Sequence, residues 1–434
     1  MNWLTTLAQA HAPGLESPLG ALRQQALAVV AARGVPTPRE EAWKYTDLRP
    51  LGELALVDAP ATIQIEDTLA PLLESTPHRL VFVDGVLSPT LSALDDLPPS
   101  VQVRPLREVL AHDPESLRAT LTRYAAQDAQ VFAALNAGCA RDGAVIELAA
   151  ASRLEAPLLV AFLNSPNPAR CFTAPLIVVN ADAHSQLTLI ELHYGQPGAQ
   201  NLSAALTDIS AGAGSQLAHY RLQIEAAEAL HLGHLRLALG EQAQVDSHSF
   251  AFGAKLARLD INAELAAPGA AVTLNGLFHA QAGQHIDHQT KIDHAAPHTT
   301  SNELYKGLAS GDGRGVFRGQ VLVRPNAQKI AAKQASHNLL LSPNAEIDTK
   351  PELEIYADDV SCAHGATVGQ LDESALFYLR SRGIPLAEAH ALLVFGFTQD
   401  VVEQVNFAPL QEWLASTLAG SADVPLPEKI EVSE

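Results

Sequence analysis

The sequence predicts a mainly β protein with helical ends. Its core is expected to be a right-handed parallel β-helix, a β-solenoid, between an N-terminal α-rich region and a C-terminal helical domain. Three observations lead there. Residues 317–369 read as a train of short strands, a turn-like unit recurs ahead of them at nearly constant spacing, and helix start and stop signals concentrate near the two ends.

The repeat carries most of the weight. The segments NADAHSQLTL, SAGAGSQLAHY, LGEQAQVDSH and APGAAVTLNG each place small, turn-forming residues before a Leu or Val and then a strand. Their markers are Leu187, Leu217, Val245 and Val272, spaced by 30, 28 and 27 residues. Periods of this length belong to solenoids and arrays. One rung cannot bury its apolar face alone, and stacked rungs share a continuous core. No helix-sized segment interrupts the run, which disfavours a doubly wound α/β fold. Two or three strands per rung are expected, with a β-sandwich as the alternative reading of the same residues.

The elements follow in chain order. Residues 1–50 read as helical: Ser17-Pro18 is a cap followed by Pro at the first helical position, and Gly34 is a stop. Thr37 to Glu40 is a capping box ahead of Trp43. Residues 51–135 are mixed, with a strand and turn at Leu80 to Gly85, a loop at Pro98-Pro99 and a helix over 114–138. In the central stretch, apolar and polar residues alternate in Val321 to Val323, Leu353 to Tyr356 and Val360 to His364, the period of a strand. Asp372 caps a helix that Gly383 stops, Pro385 opens another over 386–405, and a short third helix carries Leu410, Trp413 and Leu414. The predicted units are 1–140, 141–370 and 371–418, with a disordered tail over 419–434.

Composition narrows the function. With 434 residues the chain can bury sizeable cores. A formal charge of −20 disfavours nucleic acid and anionic membrane surfaces as partners. The start has no basic region before an apolar run, so no signal peptide is expected, and no apolar run is long enough to span a bilayer. A soluble, cytoplasmic protein is expected. Cys139, Cys171 and Cys362 lie far apart without a CxxC, which argues against a disulfide framework or a self-contained cluster site. GxxxxGK[ST], GxSxG and HExxH are all missing, and GDGRG (311–315) runs into a strand rather than a helix.

Three constellations could carry chemistry. Cys362 and His364 stand two apart, so on a strand both point the same way. Thiolate and imidazole suit iron, zinc and iron–sulfur clusters. Two ligands do not hold a cluster, so any metal here needs further ligands from elsewhere, and a partner chain is the natural source. The bland reading is a buried Cys and a backbone-satisfied His. The second constellation is the histidine-dense segment His279, His285, His288, His294 and His298. A zinc-binding protein could use it, although imidazoles bonding neighbouring rungs explain it more simply. In the third, Glu352 and Glu354 share a strand face, as a β-helix carbohydrate-active enzyme would need. A solvated strand face is the simpler explanation there.

Residues 326–370 (NAQKIAAKQASHNLLLSPNAEIDTKPELEIYADDVSCAHGATVGQ), with Phe377 to Ile384 (FYLRSRGI), resemble the SufB/SufD family of iron–sulfur cluster assembly scaffolds. The segment His285 to His294 and Tyr305 to Gly307 fit the same family. Glu40 to Leu51 (EEAWKYTDLRPL) is similar to the SufD branch more than to SufB, as is the lack of additional cysteines. The resemblance implies a β-helix between helical ends and a non-catalytic scaffold subunit of the SUF system. It implies a SufB partner paired through the β-helix and a SufC ATPase docked on the C-terminal helices, and it leaves open a homodimer when the chain is alone. An iron–sulfur cluster would form transiently at a site shared with SufB, and no ATP would bind this chain. His364 matches the family's interface histidine, and Cys362 matches a family cysteine.

Overall fold

The structure is a computed structural model that describes residues 2–48, 51, 69–166 and 171–420. The first 140 residues carry helices α1 (Trp3–Ala10), α2 (Gly20–Arg33), α3 (Ala70–Glu74), α4 (Leu106–His112), α5 (Arg118–Tyr124) and α6 (Val131–Cys139). Strands β1 (His78–Val83), β2 (Val86–Leu87) and β3 (Val101–Pro105) lie among them. The strand region begins with β4 (Gly143–Leu148), β5 (Leu158–Asn164), β6 (Cys171–Thr173), β7 (Leu176–Ala181) and β8 (Gln186–Gly195). It continues with β9 (Asn201–Ala211), β10 (Gln216–Ile224), β11 (Leu230–Leu239), β12 (Gln244–Ala251), β13 (Leu256–Leu265) and β14 (Ala271–Ala280). It ends with β15 (His285–His294), β16 (Thr300–Ala309), β17 (Arg314–Val323), β18 (Ile330–Leu340), β19 (Glu346–Ile355) and β20 (Val360–Gly369). Helices α7 (Glu373–Ser381), α8 (Leu386–Val402) and α9 (Ala408–Gly420) follow.

From β8 onward the strands alternate between two sheets. One sheet runs β2-β1-β5-β8-β10-β12-β14-β16-β18-β20 and the other β19-β17-β15-β13-β11-β9-β7-β4-β3, with β6 beside β9. Every rung from β8 to β20 pairs in parallel with the next. The core is therefore a flattened parallel β-solenoid with two strands per rung. A sandwich would pair its strands antiparallel within each sheet, so the alternative falls.

The repeat read from the sequence is the solenoid's register. Leu217 pairs with Leu187 and Val245, and Val245 pairs with Val272, so the four markers form one buried column. The turn-forming residues before them adopt one conformation. His184, Gly214, Gln242 and Gly269 all have positive φ, at 59°, 65°, 54° and 75°. Glycine adopts this conformation without strain, and His184 and Gln242 show that the rung geometry imposes it even on residues with a Cβ.

Inward residues of both sheets make the apolar core, from Leu80 and Ile146 through Leu189, Leu235 and Ile261 to Phe317. The outer face of the first sheet would be wet without cover. Val401, Val402, Leu410 and Leu414 of the C-terminal helices close over Ile190, Leu192, Tyr220 and Leu222. The outer face of the second sheet is covered by α1, α2 and α6, through Leu7, Leu27, Phe132 and Leu135 against Leu202, Leu230 and Leu232.

Several local expectations shift. Helix α2 starts at Gly20 after Leu19 in the left-handed region, not at Pro18, because the Ser17 hydroxyl donates to Gly14 O at 2.6 Å and closes a separate turn. Half of the expected capping box forms: Thr37 N–H donates to Glu40 Oε1 at 2.9 Å, ahead of a 3-10 turn over Glu41–Trp43. The helix expected over 114–138 is broken into a 3-10 turn, α5 and α6. Every residue of α6 is buried, and the Asn136 side chain donates to Pro175 O and Ala204 O at 2.7 and 2.6 Å. Helix α6 thus lies against the solenoid. Asp372 caps α7 as expected, accepting from Ser374 N–H at 2.8 Å, and Gly383 follows it with φ 88°. The tail expected over 419–434 does not begin at 419, since α9 runs through Gly420, and residues 421–434, with residues 49–50 and 52–68, lie outside the described residues.

Candidate functional site

The last rung of the solenoid is where the sequence-predicted pair sits. Strands β19 and β20 are the outermost strands of their sheets, paired on one side only among the described residues. Each is ten residues long. Strand β20 is solvent-exposed along nearly its whole length, because no further rung covers it.

Both residues of the pair face the solenoid interior. Cys362 pairs with Ala332, Ala332 with Ser301, and Ser301 with Val272, which prolongs the marker column to the rim. His364 pairs with Gln334 and Gln334 with Glu303, which prolongs the neighbouring inward column through Leu274, Ser247 and His219. In-register parallel partners project to the same face, so thiol and imidazole share the open mouth. Cys362 is half-buried against the cluster of Val321, Val323, Ile330 and Ala332, and His364 is exposed.

Burial governs the electrostatics around the pair. Burial pushes the Cys362 thiol above its ordinary range, so the chain itself does not hold it as the thiolate that binds metal. Behind His364, Gln334 is 3 % exposed and donates its Nε2 to Glu303 Oε2 at 2.6 Å. Burial pushes the Glu303 carboxyl up to about 7. Among the described residues, no group of three or more His, Cys, Asp or Glu side chains is placed to hold a metal ion. The pair can offer a soft and an imidazole ligand to a cluster, and the balance of a four-ligand set must come from outside it.

The histidine segment does not converge. His288 is buried between the rings of Phe278 and Tyr305, with centroids at 5.6 and 5.4 Å. His294 bonds Thr299 and Ser301 at 2.8 and 2.9 Å, His279 bonds Ser310 at 2.9 Å, and His285 bonds Thr46 at 2.8 Å. His298 sits in a turn with φ 59°. Burial lowers His279, His288 and His294 to about 4, so all three are neutral at pH 7. The acidic strand face is paired rather than poised. Arg318 donates to Glu352 at 2.6 Å, Lys350 sits 2.8 Å from the same carboxylate and also bonds Glu41, and Gln320 donates to Glu354 at 2.5 Å.

Two features escape a reading by strand period alone. The first is a buried polar network in the early rungs. Arg221 Nε donates to Glu191 at 3.0 Å, His193 bonds the same carboxylate at 2.6 Å, and His219 bonds it at 3.2 Å. Asn201 donates to Glu225 at 2.6 Å and His231 lies 2.7 Å from it. Burial opposes both charges, but Arg221, His193 and His219 hold the Glu191 carboxyl, and His231, His193 and Gln223 the Glu225 carboxyl, below the ordinary range. The second is the anchoring of the Trp43–Thr46 segment on the outer face of β13 and β15. There Thr46 Oγ1 donates to Asp287 at 2.5 Å and Arg258 to the same carboxylate at 2.6 Å. Carrying the rung spacing past Val272 would have placed Glu303, Gln334 and His364 in one column.

Comparisons with known proteins match most of the chain. Residues 163–397 match the family model "SUF system FeS cluster assembly, SufBD core domain", and residues 8–160 match "SufBD protein N-terminal region". The chain is 32% identical over 406 residues to an iron-sulfur cluster assembly SufBD family protein of Synechocystis sp., covering 90% of this chain and 88% of that one. It is 32% identical over 394 residues to the iron-sulfur cluster assembly protein SufD of Escherichia coli (strain K12), covering 90% of each. It is 24% identical over 402 residues to the chloroplastic protein ABCI7 of Arabidopsis thaliana, covering 90% of this chain and 84% of that one. Among the described residues, no helix is long and apolar enough to cross a membrane.

Proposed function

The chain belongs to the SufBD family of iron–sulfur cluster assembly proteins, and from that premise we propose that it is a SufD-like scaffold subunit with no catalysis of its own. It pairs with SufB, presents His364, with Cys362 beside it, to a nascent cluster shared across that contact, and docks the SufC ATPase. The cluster is cargo, built and passed on, and ATP binds the other chain. The complex works in the cytoplasm, away from membrane and nucleic acid.

One observation carries the reading: an incomplete Cys–His ligand pair stands on an outermost strand whose free edge is ten residues long and uncovered. Such an edge is a template for a further strand, and a homologous solenoid offers one in matching geometry. A second copy of this chain would fit the same edge when SufB is missing. The SufC assignment draws on helix α7. No residue of α7 is buried, and it exposes 75 % of Phe377 and 57 % of Tyr378, the type of aromatic anchor that interfaces use.

Native mass spectrometry of the tagged chain, co-expressed anaerobically with SufB and SufC, tests this. A complex holding one copy of this chain, one SufB and SufC is expected. A chain that stays apart from both would refute the proposal.

A further inference from the structure

The column behind His364 ends on an unsatisfied group. Gln334 is 3 % exposed, its Nε2 is committed to Glu303 Oε2 at 2.6 Å, and its Oε1 is buried with no hydrogen-bond partner. A buried amide oxygen left unpaired costs roughly 1–3 kcal/mol, so its persistence calls for a donor. The facing strand makes room for this amide: a Cβ at Gly319 would lie 2.2 Å from Gln334 Nε2. Any residue with a Cβ there would push the amide out of the column.

The direction of the amide is set from behind. Glu303, 3 % exposed, takes the NH2 end, and the oxygen is left for the rung on the other side. That rung is β20, where the register partner of Gln334 is His364. Neighbouring parallel strands stand about 4.8 Å apart, so rotation about the His364 side-chain bonds brings a ring N–H to the amide oxygen. A metal-binding histidine presents one nitrogen outward and donates the N–H of the other to such a partner, which fixes tautomer and ring orientation.

We propose that Gln334, oriented by Glu303, accepts the inward ring N–H of His364 and thereby fixes which ring nitrogen His364 presents at the mouth of the solenoid. Gln334 and Glu303 are positioning residues in this scheme. The inference rests on His364 being a ligand of the shared cluster. It adds a line of residues running 61 positions back along the sequence, from His364 to Glu303.

The test reads the tautomer directly. The full-length chain is labelled with 15N-histidine and its ring nitrogen shifts are recorded at pH 8.5, with the His364 signals identified by their loss in His364→Ala. The native chain is expected to hold His364 in one tautomer. Gln334→Met, unbranched and of similar length but without an acceptor, is expected to give the mixed tautomers of free histidine, and Gln334→Glu to restore a single one. Glu303→Gln leaves Gln334 in place, removes the charge that orients it, and is expected to mix the tautomers too. It decides the matter should Gln334→Met fail to fold. In the assembled complex, Gln334→Met should weaken metal retention by about 10- to 100-fold. Identical His364 tautomers in the native chain, Gln334→Met and Glu303→Gln would overturn the inference, whatever the metal content. Full cluster loading in a His364→Ala complex would instead overturn the ligand reading, and leaves the tautomer result to stand on its own.

Discussion

The Arg258 guanidinium lies 3.7 Å from the centre of the Trp43 ring, on the outer wall of the solenoid. The same guanidinium donates to Asp287 at 2.6 Å and to Asp260 at 2.7 Å, with the arginine side chain 2 % exposed. Burial disfavours its charge, and the two carboxylates outweigh burial and raise its pKa. Asp287→Ala leaves Arg258 its Asp260 partner but removes the buried carboxylate that accepts from both Thr46 and Arg258, at about 1–3 kcal/mol. It is therefore expected to lower the unfolding free energy in urea by about 1–3 kcal/mol, and to expose residues 34–48 to protease. Asp287→Ala matching the native chain in both measurements would show that the segment is held by other contacts.

That anchor marks how far the sequence could be read. The rung period was legible because Leu187, Leu217, Val245 and Val272 are alike and each follows a turn with positive φ. The shared face of Cys362 and His364 was legible because strand period is two. The segment around Trp43 looks like an amphipathic helix end on its own, since its purpose depends on Arg258 and Asp287, more than 200 residues away. Histidines were the least legible. His288 between two aromatic rings and His219 on a buried carboxylate carry the same letter as the exposed His364, and only burial separates them.

Those buried histidines set a pH dependence. Burial lowers His193, His248, His279, His288 and His294 from 6.5 to about 4. Between those values the unfolded chain binds protons that the folded chain refuses, so stability is full above pH 6.5 and is lost as pH falls toward 4. Each such group adds a slope of about 1.4 kcal/mol per pH unit within the window. The urea midpoint should fall steeply from pH 6 to 4.5. His288→Phe, which suits the ring stack, should flatten that fall. A midpoint independent of pH down to 4.5 would contradict the neutral, buried assignment.

Glu303 has the opposite sign. Its folded value, raised from 4.5 to about 7, means that the folded chain keeps a proton the unfolded chain has released. Its burial therefore costs nothing below pH 4.5 and progressively more as pH rises through 7. Glu303→Gln should stabilise the chain at pH 8 and leave it unchanged at pH 4.5. Equal effects at both pH values would show that the carboxyl titrates normally.

Helix α7 offers a separation of stability from association. Phe377 and Tyr378 are exposed and no residue of α7 is buried, so Phe377→Ser with Tyr378→Ser should change stability by about 0.5 kcal/mol or less. Loss of a central aromatic anchor costs a complex about 2 kcal/mol or more. The double variant is expected to bind SufC at least roughly 30-fold more weakly, measured by titration calorimetry, while its pairing with SufB is unaffected. Unchanged SufC affinity would move the docking surface elsewhere.

The two residues of the mouth should differ in what they break. Cys362 is half-buried and packs on Val321 and Ala332, and its thiol is raised by burial. Its main measurable duty in the isolated chain is packing, so Cys362→Ala should cost about 1 kcal/mol in unfolding free energy. His364 is exposed and contributes little to any core, so His364→Ala should leave unfolding unchanged within about 0.5 kcal/mol. In the complex reconstituted with SufB and SufC the order should reverse. His364→Ala removes a ligand type that nothing on β20 replaces, and iron and acid-labile sulfide should fall to background. Cys362→Ala, acting through a thiol that needs the metal itself to ionise, should lower them by a smaller factor. Cluster content that follows the stability order, with Cys362→Ala the worse of the two, would assign the shared site to the thiol.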